Sequence, residues 1–199
     1  VGNTARWSTP ANCAALATSY LQPLAVGIKA HLSPRLKVWL SPWYLQSGVP
    51  HGKGVLGVLN ASATADFWAA IWQQAPSFDF IAPQDHVGKW NSLDVVDEYL
   101  ASIGGAAAFA DPPRTTWSNV ELFEAWPTSC RNNGRPVGVN CSSRPAPFSR
   151  IATQMQIESK RAQILIAWEW LSGLSPWTAA ETRSNFEQYK QYLHGYRRV

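Results

Sequence analysis

A short predicted β-strand, Thr115–Glu124, carries the residues of this chain that are best suited to chemistry. Alternation along a strand places Trp117, Asn119, Glu121 and Phe123 on one face. A buried carboxylate is costly unless it is hydrogen-bonded, paired with a cation or open to a cleft. Glu121 is therefore a candidate functional carboxylate, and the alternatives are a solvated strand end or a structural ion pair.

The other predicted strands also end in polar or aromatic residues. These strands span residues 36–44, 78–85 and 163–170. At or near their carboxyl ends stand Ser41 and Trp43, Gln84 and Asp85, and Glu169. Because the carboxyl ends of parallel strands meet on one side of a sheet or barrel, these side chains are expected to lie near Glu121.

Helical patterns alternate with these strands and set the predicted fold class. They span residues 11–31, 65–75, 92–103, 148–162 and 179–196, with Pro23 expected to kink or break the first helix and Gly104 and Gly105 to end the third. Repeated β-α units are typical of parallel strands joined by crossover helices, and thus of an α/β protein. A doubly wound sheet and a (β/α)8 TIM barrel both fit, and the polar strand ends favour the barrel.

The chain supplies about half of such a barrel. A full barrel takes roughly 250 residues, whereas this sequence has 199 residues and predicts only four β-α units. Residues 1–199 are therefore predicted to form a single domain, with residues 124–148 as a loop insertion. The remaining strands are expected from a companion chain or from a missing N-terminal part, because an open half barrel would expose two strand edges and an apolar interior. The sequence also begins at Val1 like a processed or partial product.

Composition and motifs argue against several classes of protein. The formal charge of +4 is spread thinly over a chain with only 15% charged residues, which is not typical of a nucleic-acid surface. No apolar run approaches the roughly 18 residues of a membrane span. The sequence lacks GxGxxG, GxxxxGK[ST] and clustered metal ligands, so no cofactor and no metal are predicted.

Cysteines and sequons indicate an oxidising compartment. Cys130 and Cys141 bracket a loop rich in Gly, Asn and Pro, and a disulfide between them would stabilise the fold by roughly 3 kcal/mol. Cys13 is then left over as a free thiol or an intermolecular partner. Asn60 and Asn140 begin Asn-X-Ser sequons. A secreted or extracellular, lumenal glycoprotein is therefore expected.

The strand ends resemble a known family when they are taken in order. The segments LSPWY (40–44), FDFIAPQDHVG (78–88), WSNVELFE (117–124) and IAWEWLSGLSP (166–176) are similar to the second half of a glycoside-hydrolase-like TIM-barrel family, known mostly as a domain of unknown function. The resemblance covers about residues 36–178 and implies that these are strands five to eight. His86 departs from the family pattern, which usually has Gly there.

This resemblance implies a glycoside hydrolase in which Glu121, at the end of strand seven, is the nucleophile. The family's acid/base glutamate belongs to strand four, which this chain does not supply. Glycoside hydrolysis needs two carboxyl groups about 5–5.5 Å apart for retention or about 6.5–9.5 Å apart for inversion. Asp85 and Glu169 are predicted to act as partner or orienting groups.

Carbohydrate is the expected ligand, held by flat aromatic faces and polar groups at the barrel mouth. The predicted sugar contacts are Trp43, Tyr44, Gln84, Trp90, Trp117, Asn119 and Trp170. Four other tryptophans are expected in the core, namely Trp39, Trp68, Trp72 and Trp168. The alternative is a non-catalytic carbohydrate-binding or structural glycoprotein subunit. A Ser or Cys hydrolase has little support, since GxSxG is absent and the four histidines are scattered.

Overall fold

The computed structural model describes residues 14–41, 61–85, 87–90, 93, 95–126, 142–168 and 170–196. Its helices are α1 (Gln22–His31, continuing a π-helical segment Ala17–Leu21), α2 (Ala61–Gln74), α3 (Val87–Trp90), α4 (Val96–Ala108), α5 (Phe148–Glu158), α6 (Trp170–Gly173) and α7 (Ala180–Tyr196). Its strands are β1 (Trp39–Leu40), β2 (Phe80–Ile81), β3 (Thr115–Glu121), β4 (Phe123–Trp126), β5 (Ser142–Pro145) and β6 (Ile164–Trp168).

The main sheet is parallel, and the predicted α/β class is confirmed. Its four strands lie in the order β1-β2-β3-β6, and every pair runs in the same direction. Helices α2, α4 and α5 occur in the connections between successive strands. A further parallel bridge joins Gln84 to Asn119 and extends the contact between the second and third strands toward their carboxyl ends.

The predicted strand at residues 115–124 is in fact two strands. β3 ends at Glu121, and β4 pairs with β5 in an antiparallel ribbon. Leu122 stands between them, where it donates its N–H to the Trp168 carbonyl and accepts a bond from the Ala146 N–H. The predicted loop insertion at 124–148 therefore begins and ends as β-structure, because its two ends satisfy each other's backbone groups.

Of the kink or break predicted at Pro23 in α1, the break does not occur, and the helix end predicted at Gly104 and Gly105 in α4 is wrong. The helix continues through Pro23, because the Gln22 N–H bonds to the Ala17 carbonyl five residues back, in the wider spacing of a π turn. Helix α4 continues through Gly104 and Gly105 to Ala108. Burial of α4 core residues on either side of the glycines, among them Ile103, offsets the roughly 1 kcal/mol that each glycine costs in a helix.

The helices pack on one face of the sheet around two apolar clusters. The larger cluster includes Trp68, Trp72 and Ile103, which confirms the core positions predicted for the two tryptophans of α2. The smaller cluster includes Val120 and joins β3 to α5 and α7.

The opposite face of the sheet carries large apolar side chains that remain exposed. Trp39, Ile164 and Trp168 are 40%, 45% and 42% exposed, so the predicted core positions of Trp39 and Trp168 are wrong. On the same face, Phe80 stacks between Trp39 and Trp117 with ring centroids 5.7 and 3.9 Å away. Both mispredicted tryptophans lie on the face that the helices do not cover.

Candidate functional site

Polar side chains from three neighbouring strand ends meet at the carboxyl edge of the sheet, as the sequence predicts. The Asn119 side-chain amide donates to the Ser41 hydroxyl oxygen at 2.8 Å, and the Gln84 amide donates to the Ser41 carbonyl at 3.4 Å. Asn119 is buried, and its Oδ1 has no hydrogen-bond donor among the described residues. An unmet buried acceptor is costly in a folded protein, and a bound hydroxyl group could satisfy it.

Glu121 closes strand β3 directly beyond this amide cluster, and it is only 3% exposed. The backbone of Gly88, in α3, lies against it. A Cβ atom added at Gly88 would be 3.0 Å from the Glu121 Oε2 atom and 2.2 Å from the Phe123 carbonyl oxygen. Only glycine therefore lets α3 approach the strand end this closely.

Asp85 is fully buried beside Glu121, and its carboxylate accepts bonds from the backbone. The Val87 N–H donates to Oδ1 at 3.0 Å, and the Glu121 N–H donates to Oδ2 at 3.1 Å. The Gln154 side-chain amide also donates to Oδ2. Burial raises the pKa of Asp85, whereas hydrogen bonds and the charge of Arg150 oppose that rise.

Helix α5 brings three polar side chains to this network that the sequence analysis missed. Arg150, Gln154 and Glu158 follow one another at intervals of four residues, so they share one helix face. A polar i, i+4, i+8 series on an otherwise amphipathic helix is the signal that could have identified them.

Glu158 is a second fully buried carboxyl group next to Asp85. Burial raises the pKa of Glu158 well above its ordinary value, and the charge of Asp85 raises it further. Hydrogen bonds from Ser118 and Gln154 oppose this rise in the pKa of Glu158 without cancelling it. We therefore assign the proton of the pair to Glu158, which donates to Asp85, because Asp85 is the carboxylate that backbone N–H groups stabilise.

Arg150 completes the network. Its guanidinium group donates to the Glu121 carbonyl from both Nη1 and Nη2 at 3.0 Å, to the Phe123 carbonyl at 2.7 Å and to the Gln154 side-chain oxygen. Burial lowers the pKa of Arg150, and the surrounding carboxylates, led by Asp85 and Glu124, raise it. The guanidinium stays charged, since its ordinary pKa is so high.

A separate ion pair crosses the β4-β5 ribbon. Glu124 is buried, and its Oε1 lies 2.6 Å from the Arg144 Nη2 atom. This ion pair links the two strands of the ribbon that follows Glu121.

The other predicted site residues divide into those described and those outside the described residues. Trp117 is half-buried in the aromatic stack on the face that also carries Asn119 and Glu121. Trp170 packs edge-on against Phe186 and Tyr189 of α7. Trp43, Tyr44 and Glu169, the cysteines Cys130 and Cys141, the sequon residues Asn60 and Asn140, and the side chain of Trp90 lie outside the described part, so their roles stay predictions.

Two further findings concern potential metal ligands and helix length in the part of the chain that the structure describes. Its His, Cys, Asp and Glu side chains form no group of three that could hold a metal ion. None of its helices is long and apolar enough to cross a membrane.

Comparison with known proteins supports the fold. A crystal structure described as that of a "putative alpha-L-fucosidase" from Bacteroides thetaiotaomicron VPI-5482 matches with a TM-score of 0.65 and 18% sequence identity. The match covers 89% of this chain and 52% of that one, so this chain spans about half the length of the Bacteroides protein. No curated protein matches the sequence.

At 18% identity this likeness shows the fold alone, namely an α/β fold with a parallel sheet that is similar to that of the Bacteroides protein. The sequence profile of one family, described as a domain of unknown function, DUF4434, matches residues 3–180 and thus most of the chain. The chain therefore belongs to the DUF4434 family.

Proposed function

We propose that this chain is the carboxyl-terminal half of a (β/α)8 barrel that acts on carbohydrates, with Glu121 as its nucleophile or charge-stabilising carboxylate. The observation that carries the proposal is the strand order. The four strands of the main sheet are parallel, and their order in that sheet is their order in the chain, as in successive strands of a barrel. A doubly wound sheet instead reverses its order at a switch point.

The exposed sheet face supports completion by further strands. Parallel sheets are normally covered on both faces, whereas here Trp39 and Trp168 stay about two-fifths exposed. In a closed barrel this face would become the packed interior. The missing strands would come from a companion chain or another part of the same polypeptide, consistent with the 52% coverage of the Bacteroides chain.

The site residues take the following roles under this proposal. Glu121 either attacks the sugar as the nucleophile or stabilises the positive charge that develops on the sugar during the reaction. The acid/base carboxylate comes from the other half of the barrel. Asp85 and Glu169 orient the Glu121 side chain and influence whether its carboxyl group is charged. Sugar contacts are assigned to Trp43, Tyr44, Gln84, Trp90, Trp117, Asn119 and Trp170.

A Glu121→Gln substitution tests the catalytic role. The native protein, with any polypeptide that copurifies with it, would be assayed against a panel of aryl glycosides that includes an α-L-fucoside. We expect Glu121→Gln to lower kcat by at least about 10³-fold, because an amide cannot act as the nucleophile. The matched control is Glu98→Gln, on the exposed side of α4, which is expected to keep the wild-type rate.

Equal activity of the Glu121→Gln and wild-type proteins on a cleaved glycoside would exclude Glu121 as the nucleophile. The companion strands have their own test, which is the intact mass of the native material. A homogeneous, stable monomer of the 22.0 kDa chain alone would refute the half-barrel.

A non-catalytic carbohydrate-binding or structural subunit is the second candidate. The observation that favours it is the burial of Glu121, which leaves little of the carboxylate accessible to a sugar. This function predicts binding of an unmodified oligosaccharide in calorimetry without turnover. Glu121→Gln would then change the affinity without abolishing any reaction.

We also propose that the protein is secreted. The support is the sequence, with Cys130 and Cys141 flanking one loop and with sequons at Asn60 and Asn140. Glycosidase digestion of the native protein should lower its mass, and alkylation without reductant should leave Cys130 and Cys141 unmodified. An unchanged mass together with modification at both cysteines would argue for a reducing compartment.

A further inference from the structure

Strand β3 extends past the point where β2 can pair with it. The Asn119 N–H bonds to the Pro83 carbonyl, and the Asn119 carbonyl accepts the Asp85 N–H. Residues two apart on a strand direct their backbone groups to the same side. The N–H and C=O of Glu121 therefore also point toward the β2 side, beyond the last bridge at Gln84.

Side chains occupy the position where a strand would otherwise pair. The carboxylate of Asp85 accepts the Glu121 N–H at 3.1 Å. The guanidinium of Arg150 donates to the Glu121 C=O through two nitrogens, each at 3.0 Å. A negatively charged carboxylate thus binds the Glu121 N–H, and a positively charged guanidinium binds the Glu121 C=O. Hydrogen bonds to charged groups are stronger than those between neutral groups.

Gln154 links the two charged groups. Its amide nitrogen donates to Asp85, and its amide oxygen accepts from Arg150. The bonds therefore form a closed ring that runs from Glu121 to Asp85, Gln154 and Arg150 and back to Glu121. Gln154 is fully buried within the ring.

We propose that Asp85, Gln154 and Arg150 are positioning residues, which fix the peptide of Glu121 and thereby aim its carboxylate into the site. This inference rests on the proposed function for the role of Glu121, but the ring itself is independent of any reaction. A catalytic group must be held to a fraction of an ångström, and a displacement of 1 Å can cost about 10²-fold in rate.

The geometry explains why these side chain types are needed. Arginine has a planar fork of donors, which here bridges the Glu121 carbonyl, the Phe123 carbonyl and Gln154. A lysine at position 150 would keep the charge but would present a single nitrogen. The substitution would therefore remove some hydrogen bonds of the ring but would keep a positive charge near the buried carboxylate.

The test compares Arg150→Lys with Arg161→Lys in the native protein, including any companion chain. Arg161 pairs with Asp97 at the exposed surface, 2.9 Å away, and so provides a matched arginine control. Hydrogen exchange of the Glu121 and Phe123 amides reports local anchoring, and urea unfolding reports global stability. A ¹³C NMR titration of the Glu121 carboxyl reports its surroundings.

We expect Arg150→Lys to speed exchange at Glu121 by at least about tenfold, because loss of a charge-assisted bond is worth roughly 1.4 kcal/mol or more. Amides in α4, such as that of Ile103, should exchange as in the wild type. The Glu121 titration should shift in Arg150→Lys and not in Arg161→Lys. On a cleaved glycoside, kcat should fall at least about tenfold while KM changes little.

Two results would overturn the positioning role. One is a folded Arg150→Lys protein with unchanged exchange and an unchanged titration at Glu121. The other is uniformly faster exchange over the whole chain, which would make the ring a general stability element. If exchange and titration respond locally but the wild-type protein cleaves no glycoside, the ring stands and the proposed hydrolase function fails.

Discussion

The buried pair of Asp85 and Glu158 leads to a quantitative prediction of how the Glu158→Gln substitution changes the pH dependence of stability. Glu158 is fully buried, and burial raises the pKa of Glu158 well above 4.5, with the charge of Asp85 as the second cause. Glutamine has nearly the same shape and keeps an N–H donor for Asp85, but it carries no ionisable proton. The substitution therefore removes the titration and leaves the packing.

The direction in which the free energy of unfolding changes with pH follows from the number of protons that each state binds. Between the ordinary carboxyl pKa and the raised one, folded Glu158 keeps its proton while unfolded Glu158 has lost it. The folded protein then binds more protons, so the free energy of unfolding falls as pH rises. The stabilising contribution is complete below about pH 4.5 and is lost as pH rises through the folded pKa. The slope approaches about 1.4 kcal/mol per pH unit for one proton.

Urea unfolding of the wild type and Glu158→Gln from pH 5 to pH 8 measures this effect. The difference between the two free energies of unfolding should change steadily in favour of the variant as pH rises. Glu98→Gln, at an exposed position of α4, should run parallel to the wild type. Parallel curves for the wild type and Glu158→Gln would show that Glu158 does not hold the extra proton, and the charge assignment of the pair would be wrong.

Steric and packing predictions follow from other residues. Gly88→Ala should lower the free energy of unfolding by about 1–3 kcal/mol, because its Cβ would lie 2.2 Å from the Phe123 carbonyl oxygen. Gly105→Ala is the control, since nothing lies within 4 Å of its Cβ, and it should stabilise α4 by roughly 0.5–1 kcal/mol. Equal effects in urea unfolding would contradict the close approach of α3. Trp72→Ala, at 1% exposure, should cost about 3–5 kcal/mol, whereas Trp177→Ala, at 85% exposure, should stay within about 0.5 kcal/mol; similar midpoints for the two would refute the placement of the core.

The candidate site could be predicted in part because strand ends converge by topology. The meeting of Ser41, Gln84 and Asn119 required only parallel strands and the knowledge of where each strand ends. Arg150 and Gln154 could not be assigned in the same way. Their four-residue spacing is visible, but it does not reveal which strand end the helix face contacts.

Local patterns in the sequence determined the alternation of helices and strands, the α/β class and the core positions of Trp68 and Trp72. The alternation and the class depend on side-chain periodicity along a single element, and the two core positions depend on the general preference of large apolar side chains for burial. The tertiary structure alone decided that Trp39 and Trp168 are exposed, that β3 ends at Glu121 and that α4 runs through Gly104 and Gly105. Each of these depends on contacts between segments distant in sequence, since a residue's burial and its backbone partners are set by whichever element packs against it.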